Sequence, residues 1–424
     1  MNAAIVLTLV VLILLGVPVA VSLALASVIG IEAFTRLPMI LVAQRMLTGI
    51  DSFPLMAVPL FILAGNLMAA GGISERLVEF ARSLVGGIRG GLACTCVVTC
   101  MIFASVSGSS VATTFAIGAI LIPAMAANGY PRPTAAAVQA SAAELGVLIP
   151  PSIPLILYGV ATETSIGQLF IAGFGPGFLV AGALIGFLLV YCRLKGYGNE
   201  TGADLPRVGP AALSAGAALL MPVIVIGGIY GGIFTPTEAS GVAVAYALVV
   251  GGLLYRQFTL ESLLRVFRET AVATAVIMLV IAGASLFSFL LTRTGLPVLA
   301  TDWVQGTFTS AWTFLLAVNV FLFLVGMFLE TAAAILVLAP ILAPIAIAFG
   351  VDPVHFGLIM VINLALGMIT PPVGVNLFAA CSVARLPLER LVPALLPFFL
   401  VIVGCVLIVT YVPAVSLGLR DLLY

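Results

Sequence analysis

Charge is what this 424-residue chain has least of: Asp, Glu, Lys and Arg together make up 8% of it. Soluble domains carry about 25%, so the scarcity excludes an ordinary soluble protein. The charge present is balanced, sixteen basic against sixteen acidic residues, and such a chain is not expected to bind nucleic acid. Histidine occurs once, as His355 in the short loop GVDPVHFG, with no second ligand nearby to build a metal centre. HExxH is absent, and SVSGSS has no histidine near it to act as a base, so no catalytic set is found and an enzyme is not expected. Of six cysteines, Cys94, Cys96 and Cys100 share one apolar segment at spacings that match no metal pattern; they read as small buried packing residues. No clearly polar stretch is longer than 193–210, which leaves no room for a large soluble domain. The N-terminal run MNAAIVLTLVVLILLGVPVAVSLALASVIGI lacks a basic leader and is too long for a signal peptide, so it predicts a first span over 4–31.

What remains is apolar: 63% of residues are hydrophobic and the mean hydropathy is +1.32. This predicts an all-α polytopic membrane protein. At about 20 apolar residues per span, the other spans fall near 55–70, 133–162, 168–192, 211–233, 239–255, 271–291, 355–384 and 391–413. One of these is interrupted: AAELGVLIPPSIPLILYG carries Pro150 and Pro151 in its middle and Glu144 just before them. Tandem prolines remove backbone donors and clash with the preceding turn, so the helix must break there. The break recurs. IPP at 149–151 returns as TPP at 370–372, and the same offset of 221 carries Pro123, Gly129 and Gly146 onto Pro344, Gly350 and Gly367. Residues 112–151 share ten identities in forty positions with their counterparts, five of them Gly or Pro. Two related halves are expected, 1–192 and 211–424, joined by a loop at 193–210.

Two longer apolar stretches, 91–128 and 312–349, carry polar or small residues near their middles, ASVSGSS at 104–110 and GMFLET at 326–331. Read as re-entrant hairpins, they place their tips at mid-membrane, where irregular backbone survives only beside protein or a water cavity. With hairpins not crossing and the N-terminus inside, twelve Lys and Arg fall on the cytoplasmic side. Four (Arg36, Arg45, Arg293 and Arg420) fall outside with the C-terminus, in accord with the positive-inside rule. The number of crossings between the two proline pairs is then odd, so the halves are inverted-topology repeats and 193–210 is cytoplasmic. In secondary transporters, broken helices present N–H groups to anionic substrates and free carbonyls to Na⁺. The carbonyls near Gly146, Ile149, Gly367 and Thr370 are the candidates here.

Four stretches carry a family resemblance: GSSVATTFAIGAILIPAM, GYPRPTAAAVQASAAELGVLIPPS, GGIFTPTEA and GMITPPVGVN. Together they resemble the large membrane subunit of tripartite ATP-independent periplasmic (TRAP) transporters, over nearly the whole chain. The resemblance implies a Na⁺-driven elevator importer of organic acids in the bacterial inner membrane. It also implies a small four-helix membrane subunit and a periplasmic substrate-binding protein as partners, beside the lipid itself. Carried onto this sequence, a first Na⁺ site uses Ser105, Ser109, Gly146 and Ile149. Its mate uses Gly326, Gly367 and Thr370, with Val373 nearby. Such oxygen-rich, anion-poor ligation suits an alkali ion. The carboxylate substrate is expected between the tips, near Ser109, Ser110, Thr113, Ser152, Glu330 and Asn376. Glu144 and Glu330 are the carboxylates expected at membrane depth, where ionisable groups are usually functional.

Two amphipathic stretches, 35–47 and 260–270, resemble interfacial helices, one per half, that would brace a fixed frame. Glu238 in GGIFTPTEA reads as structural or interfacial, not catalytic. Two alternatives differ in kind: a Na⁺/dicarboxylate symporter of similar architecture that needs no binding protein, and an integral membrane enzyme, for which no catalytic constellation is found.

Overall fold

The structure, a computed structural model, describes residues 2–198 and 205–423; part of the 193–210 loop therefore lies outside the described residues. Every regular element among the described residues is helical, and nine helical segments are long and apolar enough to cross a membrane. The physical reason is that a segment without water must satisfy its own backbone, which a helix does internally.

Both long apolar stretches fold as helical hairpins. The first pairs Gly91–Ser107 with Ser110–Ala127, and the second pairs Ala311–Gly326 with Thr331–Ala348. The two return helices begin and end 221 residues apart, and each is followed by a glycine with positive φ, Gly129 at 86° and Gly350 at 79°. The polar first tip is a sharp turn: Gly108 takes φ 61°, and Ser109 caps the return helix by accepting from the Ala112 N–H.

After each hairpin comes an interrupted helix. Arg132–Ala143 and the short turn Leu145–Leu148 lead into Pro150–Pro151, and Ile153–Thr162 resumes beyond. In the other half Pro353–Met368 leads into Pro371–Pro372, and Val375–Ala384 resumes. Both Pro–Pro bonds are cis. Arg132–Thr162 is the most enclosed of the nine membrane-length segments, which puts the first break in the protein core and away from lipid. The packing is reciprocal: Ile153–Thr162 lies on Thr331–Ala348, and Val375–Ala384 lies on Ser110–Ala127.

Ile166–Lys195 and Leu388–Tyr411 pack on the hairpins and broken helices, while helices around Leu260–Arg293 form a second layer. Leu260–Arg293 packs along Val19–Phe34, Ile40–Ile50 and Ala57–Ala70, and Pro236–Val249 packs on Ala57–Ala70. Two expectations change here. The N-terminal run is not one span over 4–31 but a hairpin of Asn2–Leu14 and Val19–Phe34, turned by Gly16 at φ 79° and Pro18. Ile5 consequently touches Gly30, which a continuous helix would hold about 37 Å away. The amphipathic 260–270 is not a separate interfacial helix either; it runs unbroken into the span as Leu260–Arg293, 34 residues. Its counterpart in the first half is divided, Ile40–Ile50 being separated from Ala57–Ala70 by residues 51–56.

A C-terminal helix, Pro413–Leu423, crosses both halves of the interior layer, packing on Ile166–Lys195 and Pro353–Met368. Arg420 Nη1 donates to Asp352 Oδ2 at 2.8 Å, while Asp352 Oδ1 caps Pro353–Met368 through the Val354 and His355 N–H groups.

Candidate functional site

Each hairpin tip docks on the break of its own half. In the first half the Ile153 N–H donates to the Gly108 carbonyl at 3.3 Å; in the second the Val373 and Gly374 N–H groups both donate to the Met327 carbonyl at 3.3 Å. Glycines allow the approach. A methyl added at Gly146 would lie 2.7 Å from the Ser109 carbonyl oxygen, and one added at Gly367 would lie 2.3 Å from the Gly326 carbonyl carbon. Ser109 and Gly146 are therefore brought together, as are Gly326 and Gly367. Thr370 adjoins the second contact: its N–H donates to the Gly367 carbonyl at 2.9 Å and its hydroxyl to Leu366 at 2.8 Å. That hydroxyl keeps lone pairs free to accept or to ligate. Ile149 ends the Leu145–Leu148 turn with extended backbone, and Ser105 points its hydroxyl to its own helix at Ile102, 2.6 Å away.

A cavity of about 540 Å³ opens beside these contacts, between the interior layer and the frame. Ser109 and Ser110 of the first tip line it with Glu330 and Thr331 of the second. Met368 and Ile153 come from the breaks, and Asn66 and Glu269 from the frame. Three helices begin at its wall: Ser110–Ala127, Thr331–Ala348 and Ile153–Thr162. The first N–H groups of Ser110–Ala127 and Thr331–Ala348 lack intrahelical partners and carry the positive ends of the helix dipoles, whereas in Ile153–Thr162 the Ile153 N–H donates to Gly108, Pro154 has none and the Leu155 N–H donates to Ser152 Oγ. Among the described residues no Lys or Arg lines the cavity, and the two ionisable ones that do, Glu269 and Glu330, are both acidic and both exposed.

The other three residues expected near substrate lie outside the lining. Thr113 is fully buried, donating to the Ser109 carbonyl at 2.8 Å. Ser152 caps its helix and donates to the Val147 carbonyl at 2.6 Å. Asn376 is fully buried and donates to Glu144 Oε1 at 2.6 Å. Two lining residues, Asn66 and Glu269, were not singled out from sequence. Asn66 Nδ2 donates to Thr270 Oγ1 at 3.0 Å, joining two frame helices at the cavity edge. The usable signal was a polar residue within each apolar run, and Glu269 was hidden by assigning 260–270 to the interface.

Residues 6–415 match the family described as tripartite ATP-independent periplasmic transporter, DctM component. The chain is 40% identical over 429 residues to the C4-dicarboxylate TRAP transporter large permease protein DctM of Rhodobacter capsulatus, covering 98% of each. It is 44% identical over 403 residues to the isethionate TRAP transporter permease protein DctMQ of Oleidesulfovibrio alaskensis, covering 95% of this chain and 64% of that protein's length. To the sialic acid TRAP transporter large permease protein SiaM of Vibrio cholerae it is 38% identical, covering 91% and 92%. Among solved structures, the Alcanivorax borkumensis YdaH transporter superposes with a TM-score of 0.65 at 18% identity, covering 88% of each chain, which is a likeness of fold. A match over nearly the full length, by family and by relatives alike, places this multi-pass membrane protein: it belongs to the DctM component family of tripartite ATP-independent periplasmic transporters.

Proposed function

We propose that this chain is the large transmembrane subunit of a Na⁺-coupled TRAP transporter of the bacterial inner membrane, importing an organic anion. The observation that carries the coupling is the charge of the cavity. Two helix N-termini, those of Ser110–Ala127 and Thr331–Ala348, offer N–H donors to an anion, yet the formal charges on the wall are Glu269 and Glu330. An anion entering such a site meets repulsion that grows as water leaves. Cations bound at the adjacent tip–break contacts offset it, and their ligands are the carbonyls around Ser109, Gly146 and Ile149 and around Gly326, Gly367 and Thr370. The relatives are named for C4-dicarboxylates, isethionate and sialic acid. The fitting class is therefore a small carboxylate or sulfonate.

In this reading 1–192 and 211–424 are inverted repeats. Hairpins and broken helices form the part that moves as an elevator, and the layer around Leu260–Arg293 is the fixed frame. The cavity lies at the seam between the two, which supports the division. A periplasmic substrate-binding protein delivers the anion, and a small four-helix subunit widens the frame.

Uptake into proteoliposomes containing this chain, the small subunit and loaded binding protein tests the reading. Uptake is expected to require a Na⁺ gradient and to rise with an inside-negative potential, which is worth about 2.3 kcal/mol per net charge per 100 mV. Full-rate uptake without Na⁺ under a proton gradient sinks the coupling. Equal uptake of free anion by the chain alone, with or without its partners, favours the binding-protein-independent symporter.

A further inference from the structure

The two proline breaks are joined by a hydrogen-bonded pair that neither the cavity nor the tip contacts use. Glu144 stands just before the first break, and Asn376 opens the helix after the second. Asn376 Nδ2 donates to Glu144 Oε1 at 2.6 Å and to the Ala140 carbonyl at 3.3 Å, while Thr114 Oγ1 donates to Asn376 Oδ1. All four residues are buried, Glu144 at 1% exposure being the most accessible. One amide thus ties together the first hairpin, the helix entering the first break and the helix leaving the second. The Ala140 carbonyl fixes the amide's orientation, because the flipped form would face oxygen with oxygen. Among the described residues Glu144 Oε2 is buried without a partner, so the carboxyl depends on Asn376, and losing a buried partner is costly.

We propose that the Glu144–Asn376 pair is a positioning element that couples the ion site at one break to the ion site at the other; this rests on the reading of the breaks as Na⁺ sites. The path is short on both sides. Gly146, two residues after Glu144, is in contact with the Ser109 carbonyl. On the far side Gly374, two residues before Asn376, approaches the Thr370 carbonyl closely enough that a methyl there would lie 2.8 Å from it. An ion that draws in the carbonyls of Gly146 and Ile149 shifts the turn carrying Glu144, and the bond carries that shift to Val375–Ala384. The reverse route is the same bond, as the reciprocity of coupling requires.

Equilibrium binding of radiolabelled Na⁺ to the purified full chain, in choline chloride, decides the matter. Two strongly coupled sites give a Hill coefficient of about 2, and independent sites about 1. The native chain is expected near the first value, and Glu144→Leu and Asn376→Leu near the second, with the same amount of Na⁺ bound at saturation. Glu144→Gln, which still offers Asn376 an acceptor, should keep the steep curve. If the leucine variants do not fold, Thr114→Val removes one anchor of the same amide and should lower the Hill coefficient part of the way. A purely structural pair would lower thermal stability and leave the steepness alone, and folded variants with unchanged steepness overturn the proposal. Native binding to two independent sites overturns the coupling but leaves the Na⁺ sites standing. Native binding no stronger for Na⁺ than for K⁺ removes both.

Discussion

Gly326 and Gly367 meet with no side chain between them, and the second tip reaches its break only because of that. Gly367→Ala forces a methyl to 2.3 Å from backbone; overpacking of this kind costs roughly 1–3 kcal/mol. The expected result is a lower unfolding temperature together with weaker Na⁺ binding. Gly182 is the control: an alanine methyl there meets nothing within 4 Å, and Gly182→Ala should stabilise by up to about 1 kcal/mol through helix propensity. Thermal unfolding of the two purified variants should therefore move in opposite directions. Thr370→Val keeps volume and deletes one oxygen. It should raise the Na⁺ concentration for half-maximal uptake by the equivalent of roughly 1–3 kcal/mol, while Ile149→Val leaves it unchanged; equal behaviour of the two displaces the second site from Thr370. Gly146 and Gly367 were legible in the chain as coincident positions at a fixed offset, whereas Gly326 falls on Ser105. The fate of individual hydroxyls was not. Ser110 faces the cavity and Thr113 faces the Ser109 carbonyl, and only the pitch of the helix around the tip separates them.

The C-terminal helix shows how an exposed element is held. Its Val415 carbonyl is so close to Gly175 that a methyl there would sit 1.7 Å from it, and Arg420 reaches Asp352 across the end of Pro353–Met368. Burial alone would raise the Asp352 carboxyl, but Arg420 and two backbone N–H groups outweigh it and hold the group below the usual carboxylate range. A carboxyl lowered in the folded state stabilises above its unfolded value of about 3.9 and loses that contribution as pH falls through the folded value. The Asp352→Asn deficit in unfolding temperature should thus be constant between about pH 6 and 8 and shrink below about pH 4. Its size should be roughly 1 kcal/mol, the upper end for a part-exposed pair. At this scale the hairpins and breaks could be read because Pro and Gly impose local geometry. The N-terminal turn was missed because Leu15–Pro18 is short and lies between apolar runs, although its Gly16 and Pro18 are turn residues. The continuity of Leu260–Arg293 was missed because amphipathicity reports surroundings, not where a helix ends.

For the molecule as a whole, the two-legged N-terminus alters the expected sidedness. Val19–Phe34 runs alongside Leu260–Arg293, Leu23 touching Gly283 and Gly30 touching Leu290, so it lies at membrane depth. Read as two crossings in place of one, with the basic loops kept inside, the hairpin predicts an N-terminus on the outer face, where residues 35–50 and the C-terminus are also expected. Asn2→Cys and Asp421→Cys should then react with a membrane-impermeant maleimide in intact cells, and Arg207→Cys only after lysis. Labelling of Asn2→Cys only after lysis returns the N-terminus to the cytoplasm. The two hairpins and the two proline breaks were legible because Gly and Pro recur at an offset of 221, but the N-terminal turn and the unbroken Leu260–Arg293 have no such recurrence to reveal them.

One departure has a mechanical meaning. Leu260–Arg293 is a single beam about 51 Å long, whereas the matching strut in the first half is jointed at Asp51–Met56. In a device made of two identical inverted copies, exchanging the copies turns the outward-open form into the inward-open one, and the two must weigh the same. A beam on one side and a joint on the other spoil that equality. On the inverted-repeat elevator reading proposed above, the empty protein is expected to hold a resting posture of its own, set by which strut can bend, before any ion or cargo arrives.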